Sequence, residues 1–134
     1  MSDIRPVTPD FAVAPQLLPE DLAEAAARGF TLVINNRPDG EAADQPTSAV
    51  MREAAARAGL AYAHIPVRGG PTGADVEAVA AAIEEAKGPV LAFCRSGTRS
   101  IVTWSLGQAA AGVDKRALLA AAEAAGYDLS AVLA

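Results

Sequence analysis

Apolar residues fall along this chain in two alternating rhythms. Short runs that are apolar at almost every position alternate with longer stretches in which apolar residues return every three or four positions. Phe30-Thr31-Leu32-Val33-Ile34 and Pro89-Val90-Leu91-Ala92-Phe93 are of the first kind, and such continuous runs predict strands buried on both faces. Leu60-Ala61-Tyr62-Ala63-His64-Ile65 predicts a further strand, broken by Pro66, and the short run Phe11-Ala12-Val13 predicts a first strand at the sheet edge.

The second rhythm predicts helices. Pro19-Glu20-Asp21 opens one with proline and acids in its first turn, and Gly29 closes it after Arg28. Another runs from Thr47 to Ala58, with Val50 and Ala54 on one face and Gly59 as its stop. Val76, Val79, Ala80 and Ile83 recur at i, i+3, i+4 and i+7, the spacing of an amphipathic helix that ends at Gly88. The helix after Ser100 carries Ile101, Val102, Trp104, Leu106 and Ala109 almost all round, which predicts a buried central helix with Trp104 in the core. Asp114 is placed to cap a last helix, with Val113 and Leu118 as a hydrophobic staple and Gly126 as its end; a tail over Asp128–Leu133 then packs on the body. Strands alternating with helices predict an α/β fold, a central and mostly parallel sheet flanked by helices, in a single domain over residues 1–134.

Composition narrows the function classes. Half of the 134 residues are apolar, enough for a core without staples. The 16 acidic residues outweigh 11 basic ones, which argues against nucleic acid or an anionic membrane as a partner. The segment Met1-Ser2-Asp3-Ile4-Arg5-Pro6 lacks the apolar core of a signal peptide, so the expectation is a cytoplasmic protein. The lone cysteine excludes an internal disulfide framework and a cysteine-rich metal site.

That cysteine carries the chemistry. Cys94-Arg95-Ser96-Gly97-Thr98-Arg99-Ser100 joins a buried strand to a helix. Ligands in open α/β sheets bind at the carboxyl ends of strands, beside helix N-termini whose unpaired N–H groups favour anions. Gly97 permits a positive φ and a close backbone approach, Arg99 offers a bidentate fork to an oxyanion, and Arg95 adds a second cation. Ser96 and Thr98 line the same loop, and Ser100 is placed to cap the helix and hydrogen-bond the thiolate. These surroundings favour the nucleophilic thiolate, so the reading is of a catalytic Cys94 with Arg99 and Ser100, not of a small buried hydrophobe.

With these residues in place a resemblance can be stated. Phe11–Leu17, the segment Val33-Ile34-Asn35-Asn36-Arg37-Pro38-Asp39-Gly40-Glu41, His64-Ile65-Pro66-Val67, and Gly88 through Ser100 are similar to the phosphatase-like domain of the beta-lactamase hydrolase-like proteins, also called domain of unknown function 442. The resemblance implies the fold of the dual-specificity protein tyrosine phosphatases and a hydrolase that works through a cysteinyl-phosphate.

Two departures from ordinary tyrosine phosphatases matter. Their signature has five residues between Cys and Arg, and a His before the Cys. Here four residues separate Cys94 from Arg99, and Phe93 stands in place of the His. The loop thus also looks like that of single-domain rhodaneses, which carry a sulfane sulfur on cysteine. Phosphatases of this fold also protonate the leaving group with an Asp after the strand that corresponds to Ala61–Ile65. Pro66-Val67-Arg68-Gly69-Gly70-Pro71-Thr72-Gly73 holds no carboxylate, and Asp75 beyond it reads as a first-turn helix acid.

Arg37, Asp39, Glu41 and Asp44 follow the strand Phe30–Ile34 and should emerge on the same edge as Cys94, with Arg37 and Asp39 the favoured substrate contacts. His64 reads as a satisfied strand histidine, and Arg68 equally as an addition to substrate binding or as a surface loop cation. Three functions therefore stand: a phosphatase-like hydrolase acting on a small anionic or phosphorylated substrate, a rhodanese-like sulfurtransferase with a thiol acceptor, and a non-catalytic anion or phosphoprotein binder. None of the three calls for a cofactor. Fusion of some relatives to a metallo-beta-lactamase-like domain associated with sulfide oxidation supports the second.

Overall fold

The structure is a computed structural model, and it describes residues 2–133. Five strands form one sheet in the order β1 (Arg5–Thr8), β2 (Phe11–Ala14), β5 (Val90–Phe93), β3 (Leu32–Asn35), β4 (Ala61–His64). Only the β1–β2 pair is antiparallel; β2, β5, β3 and β4 run parallel. The α/β class with a mostly parallel sheet is therefore as the apolar rhythm predicts.

The edge is not. Phe11–Ala14 is fully buried between β1 and β5, and the edge strand is the polar Arg5-Pro6-Val7-Thr8. An edge strand has no buried face on its open side, so it shows no apolar run, and its position tolerates Pro6.

Alternation along the inner strands sends side chains to two cores. Phe11, Val13, Leu32, Ile34, Val90 and Ala92 face α3 (Gly73–Glu85), α4 (Thr98–Ala110) and α5 (Lys115–Ala124). Trp104 of α4 is buried there, stacked on Phe11 with ring centroids 4.8 Å apart. Ala12, Ala14, Val33, Leu91 and Phe93 face α1 (Asp21–Ala27) and α2 (Ser48–Arg57).

In α2 the buried face is Ser48, Met51 and Ala55, one position round from the expected Val50 and Ala54; Val50 is 47% exposed. An alanine-rich helix with one valine marks its inward face too weakly to fix the phase. Asp114 is the N-cap of α5, as expected, yet its side chain makes no capping hydrogen bond. No helix among the described residues is long and apolar enough to cross a membrane.

β5 is the middle strand, with parallel neighbours on both sides. Cys94 directly follows its last residue, at the carboxyl edge where α4 begins. The sheet order thus puts the loop between the chain segments that leave β2 and β3.

Candidate active site

The loop from Cys94 to Ser100 is shaped by its own backbone. Gly97 is the N-cap of α4 and adopts φ 91°, the left-handed conformation that its lack of a Cβ allows. This turns its N–H onto the Cys94 sulfur at 3.1 Å. Ser96 Oγ donates to Thr98 Oγ1 at 3.0 Å, a local bond at the exposed rim of the loop. The segment after β2 secures the other side, where Gln16 N–H donates to Arg95 C=O at 3.2 Å. Cys94 itself is buried at the floor.

Three arginines surround a cleft of about 840 Å³. Arg37, Arg95 and Arg99 line it together with Gln16, Glu41 and Asp44, and the remaining lining residues include no aromatic side chain. Arg99 is held by two acceptors. Its Nη1 and Nη2 donate to Glu41 at 2.7 and 2.9 Å, and Nη1 also donates to Val67 C=O at 2.9 Å. Glu41 also accepts from Arg37 Nε at 3.0 Å, and Arg37 Nη1 donates to Gln16 Oε1 at 2.9 Å.

Two guanidiniums on one carboxylate leave a net positive charge at the site. Hydrogen bonds from Arg99, and then from Arg37, pull the Glu41 carboxyl down to about 2 against the opposing effect of burial. Arg99 is raised above its ordinary value, chiefly by Glu41 and further by the nearness of Cys94. Its Nε–H and second Nη2 hydrogen have no oxygen or nitrogen partner among the described residues. Such a pair of parallel donors is the edge a guanidinium offers to an oxyanion.

Two expected contacts take other forms. Ser100, expected to hydrogen-bond the thiolate, donates instead to Asn36 Oδ1 at 2.8 Å, because its place in α4 turns it inward under β3. Asp39, expected at the substrate, accepts from Ser48 N–H at 2.8 Å; it anchors the start of α2 and does not line the cleft. Arg37 enters the cleft with its side chain 7% exposed. His64 is satisfied, with Nε2 bonded to Arg37 C=O at 2.8 Å. Asp75 closes a capping box with Thr72 at the start of α3.

Residues that the sequence did not single out complete the frame. Asn36, fully buried, ties four segments together: its N–H donates to Phe93 C=O, its C=O accepts from Val67 N–H, Nδ2 donates to Ile65 C=O, and Oδ1 accepts from Ser100. Gln16 and Tyr127 each hold one side of the loop, Tyr127 through Ser96 C=O at 2.8 Å. A polar residue next to an apolar strand end was the available signal for Asn36; for Tyr127, 33 residues beyond Cys94, sequence offered none.

The profile of the family described as "Beta-lactamase hydrolase-like protein, phosphatase-like domain" matches residues 3–111. A beta-lactamase hydrolase-like protein of Agrobacterium fabrum is 41% identical over 100 residues, covering 74% of this chain and 23% of the relative. This chain thus spans about a quarter of the length of the curated relatives it matches. A crystallised Neisseria meningitidis protein superposes with TM-score 0.87 at 32% identity, covering 99% of this chain and 95% of its own. Pseudomonas aeruginosa TpbA, solved in complex with pTyr, superposes with TM-score 0.65 at 18% identity, covering 93% and 72%. The more distant likenesses show that the fold is that of the protein tyrosine phosphatases.

Proposed function

This chain belongs to the phosphatase-like domain family of the beta-lactamase hydrolase-like proteins, and from that premise we propose that it is a cysteine-dependent phosphatase whose nucleophile is Cys94. One observation carries the reading: the Gly97 N–H points at the buried Cys94 sulfur, while Arg99, with a free donor edge, feels that sulfur and lines the adjoining cleft.

The Cys94 thiolate attacks the phosphorus of a phosphomonoester in line, and the S–P bond forms as the P–O ester bond breaks. The free edge of Arg99 and the N–H groups of the loop hold the non-bridging oxygens as their charge redistributes. The leaving oxygen departs as an alcohol or phenol. Water then attacks the cysteinyl-phosphate, the S–P bond breaks, and inorganic phosphate leaves with the thiolate restored.

The leaving oxygen needs a proton, and the carboxylates differ in what they can supply. Glu41 is committed to Arg99 and Arg37, whose hydrogen bonds hold its carboxyl down at about 2. Asp75 is engaged in its capping box. Asp44, exposed on the cleft wall, is the remaining carboxylate of the lining and takes the role of acid in this reading. A lining of arginines, glutamines and carboxylates without an aromatic wall favours a polar phosphorylated small molecule over phosphotyrosine, the ligand of the TpbA structure.

A second reading has its own support. Four residues between Cys94 and Arg99, and a post-β4 loop whose first acid serves a helix cap, suit sulfane transfer, which requires no acid. In that reaction the thiolate takes the outer sulfur of thiosulfate, releases sulfite, and passes the sulfur to a thiol. A paired assay separates the two, with an aryl phosphate on one side and thiosulfate plus cyanide on the other, each alongside Cys94→Ser. Phosphate release that the substitution abolishes, without thiocyanate, supports the phosphatase; thiocyanate without phosphate release rejects it.

A further inference from the structure

We propose that Tyr127 is a positioning residue for the Cys94 sulfur, acting through the Ser96–Gly97 peptide from a part of the chain outside the matched family profile. The proposal rests on Cys94 being the nucleophile.

The peptide between Ser96 and Gly97 is trans, so its C=O and N–H point in opposite directions. Its C=O accepts the Tyr127 hydroxyl at 2.8 Å, and its N–H meets Cys94 Sγ at 3.1 Å. Holding the oxygen therefore aims the hydrogen. Without the hydroxyl the plane is free to turn about its flanking bonds, and Gly97, with no Cβ, resists rotation least of any residue.

Gly97 and Tyr127 also fit each other in space. A Cβ at Gly97 would collide with the Tyr127 hydroxyl, so the tyrosine fills the room that the glycine leaves. The ring is fixed from both sides. Its backbone N–H closes the end of α5 on Ala122 C=O at 2.9 Å, and the guanidinium of Arg5 in β1 lies over its face, 5.2 Å from the centroid. Burial, with the Cys94 charge nearby, raises the Tyr127 phenol above its ordinary value despite Arg5, so the hydroxyl remains a donor across the neutral range. The residue stands at 127, in the segment that follows α5 and past residue 111, where the profile match ends.

The test is Tyr127→Phe, which removes one oxygen and keeps the ring. The sequence has one cysteine, so alkylation by iodoacetamide reads Cys94 alone. At about pH 6.5 the alkylation rate should fall about tenfold, the scale of one lost hydrogen bond at a thiolate. kcat for an aryl phosphate should fall by a similar factor while KM moves less than about threefold. Leu60→Ala, a change in the other core just before the amino end of β4, controls for lost stability and should alkylate at the wild-type rate. Alkylation of Tyr127→Phe at the wild-type rate would overturn the proposal, as would equal slowing in Leu60→Ala. Alkylation needs no phosphate substrate, so a protein inactive as a phosphatase would still report on Tyr127.

Discussion

Glu41 grips Arg99 by its end, with both terminal nitrogens on one carboxylate at 2.7 and 2.9 Å, and so turns the other edge of the guanidinium toward the cysteine loop. A long flexible side chain is thereby held in one pose before any ligand arrives. Preorganisation of this kind lowers the cost of ordering the donor when the oxyanion forms.

Glu41→Gln should accordingly weaken substrate handling without unfolding the protein. The amide cannot accept two charge-assisted bonds from Arg99 and one from Arg37, and Arg99 regains its rotamers. Steady-state kinetics with an aryl phosphate should show kcat/KM reduced about tenfold or more, on the scale of one to two charged hydrogen bonds. An unchanged kcat/KM would mean that Arg99 needs no holding.

The same carboxylate sets a pH dependence whose sign is fixed. Its folded-state value, about 2, lies below the ordinary 4.5, so its contribution to stability is complete above the unfolded value and is lost as pH falls toward the folded one. The melting-temperature gap between wild type and Glu41→Gln should be flat above about pH 5 and should close below about pH 4. A gap that opened on acidification would contradict the assignment of the ion pair.

Leaving-group dependence probes the acid. An alkoxide is a poorer leaving group than a phenoxide, so an acid that protonates the leaving oxygen matters more for alkyl than for aryl phosphates. Asp44→Asn should cost alkyl phosphates more than nitrophenyl phosphate, up to the 10²–10⁴-fold range of a general acid. Asp75→Asn should affect both alike and only slightly, since that side chain serves the cap of α3. A loss confined to alkyl substrates in Asp75→Asn would transfer the role to Asp75.

Asn36 is the joint between the sheet and the loop. Asn36→Ala strands the Ser100 hydroxyl and the Ile65 carbonyl in the interior and should destabilise by about 2–4 kcal/mol. Urea denaturation should show a lower midpoint with an unchanged slope. A shift of less than about 0.5 kcal/mol would mean that water or a neighbour replaces the amide.

How much of this was legible in the sequence follows from the range of the forces involved. Strands such as Val90–Phe93 announce themselves because burial on both faces forces a continuous apolar run. The anion loop is equally plain, because Gly97 and Arg99 lie within five residues of Cys94. The polar edge strand Arg5–Thr8 left no such trace, since it is only partly buried and Val7 is its one aliphatic contact with the core. Around the loop, Ser100 and Asp39 point elsewhere than the sequence suggests. Direction depends on tertiary partners: Asn36 for the one, the start of α2 for the other. Glu41 was expected on the same edge as Cys94, whereas Gln16 and Tyr127 reach the loop from distant segments that only the sheet order brings together.

A phosphatase of the proposed kind must pass through a cysteinyl-phosphate at Cys94, and mass spectrometry of acid-quenched protein detects that adduct. Mixed with an aryl phosphate and stopped within the first turnovers, the peptide carrying Cys94 should gain the mass of one phosphoryl group, and Cys94→Ser should release no phosphate. A peptide that stays unmodified with the phosphate ester but gains a single sulfur atom from thiosulfate would contradict the phosphatase and establish sulfane transfer in its place.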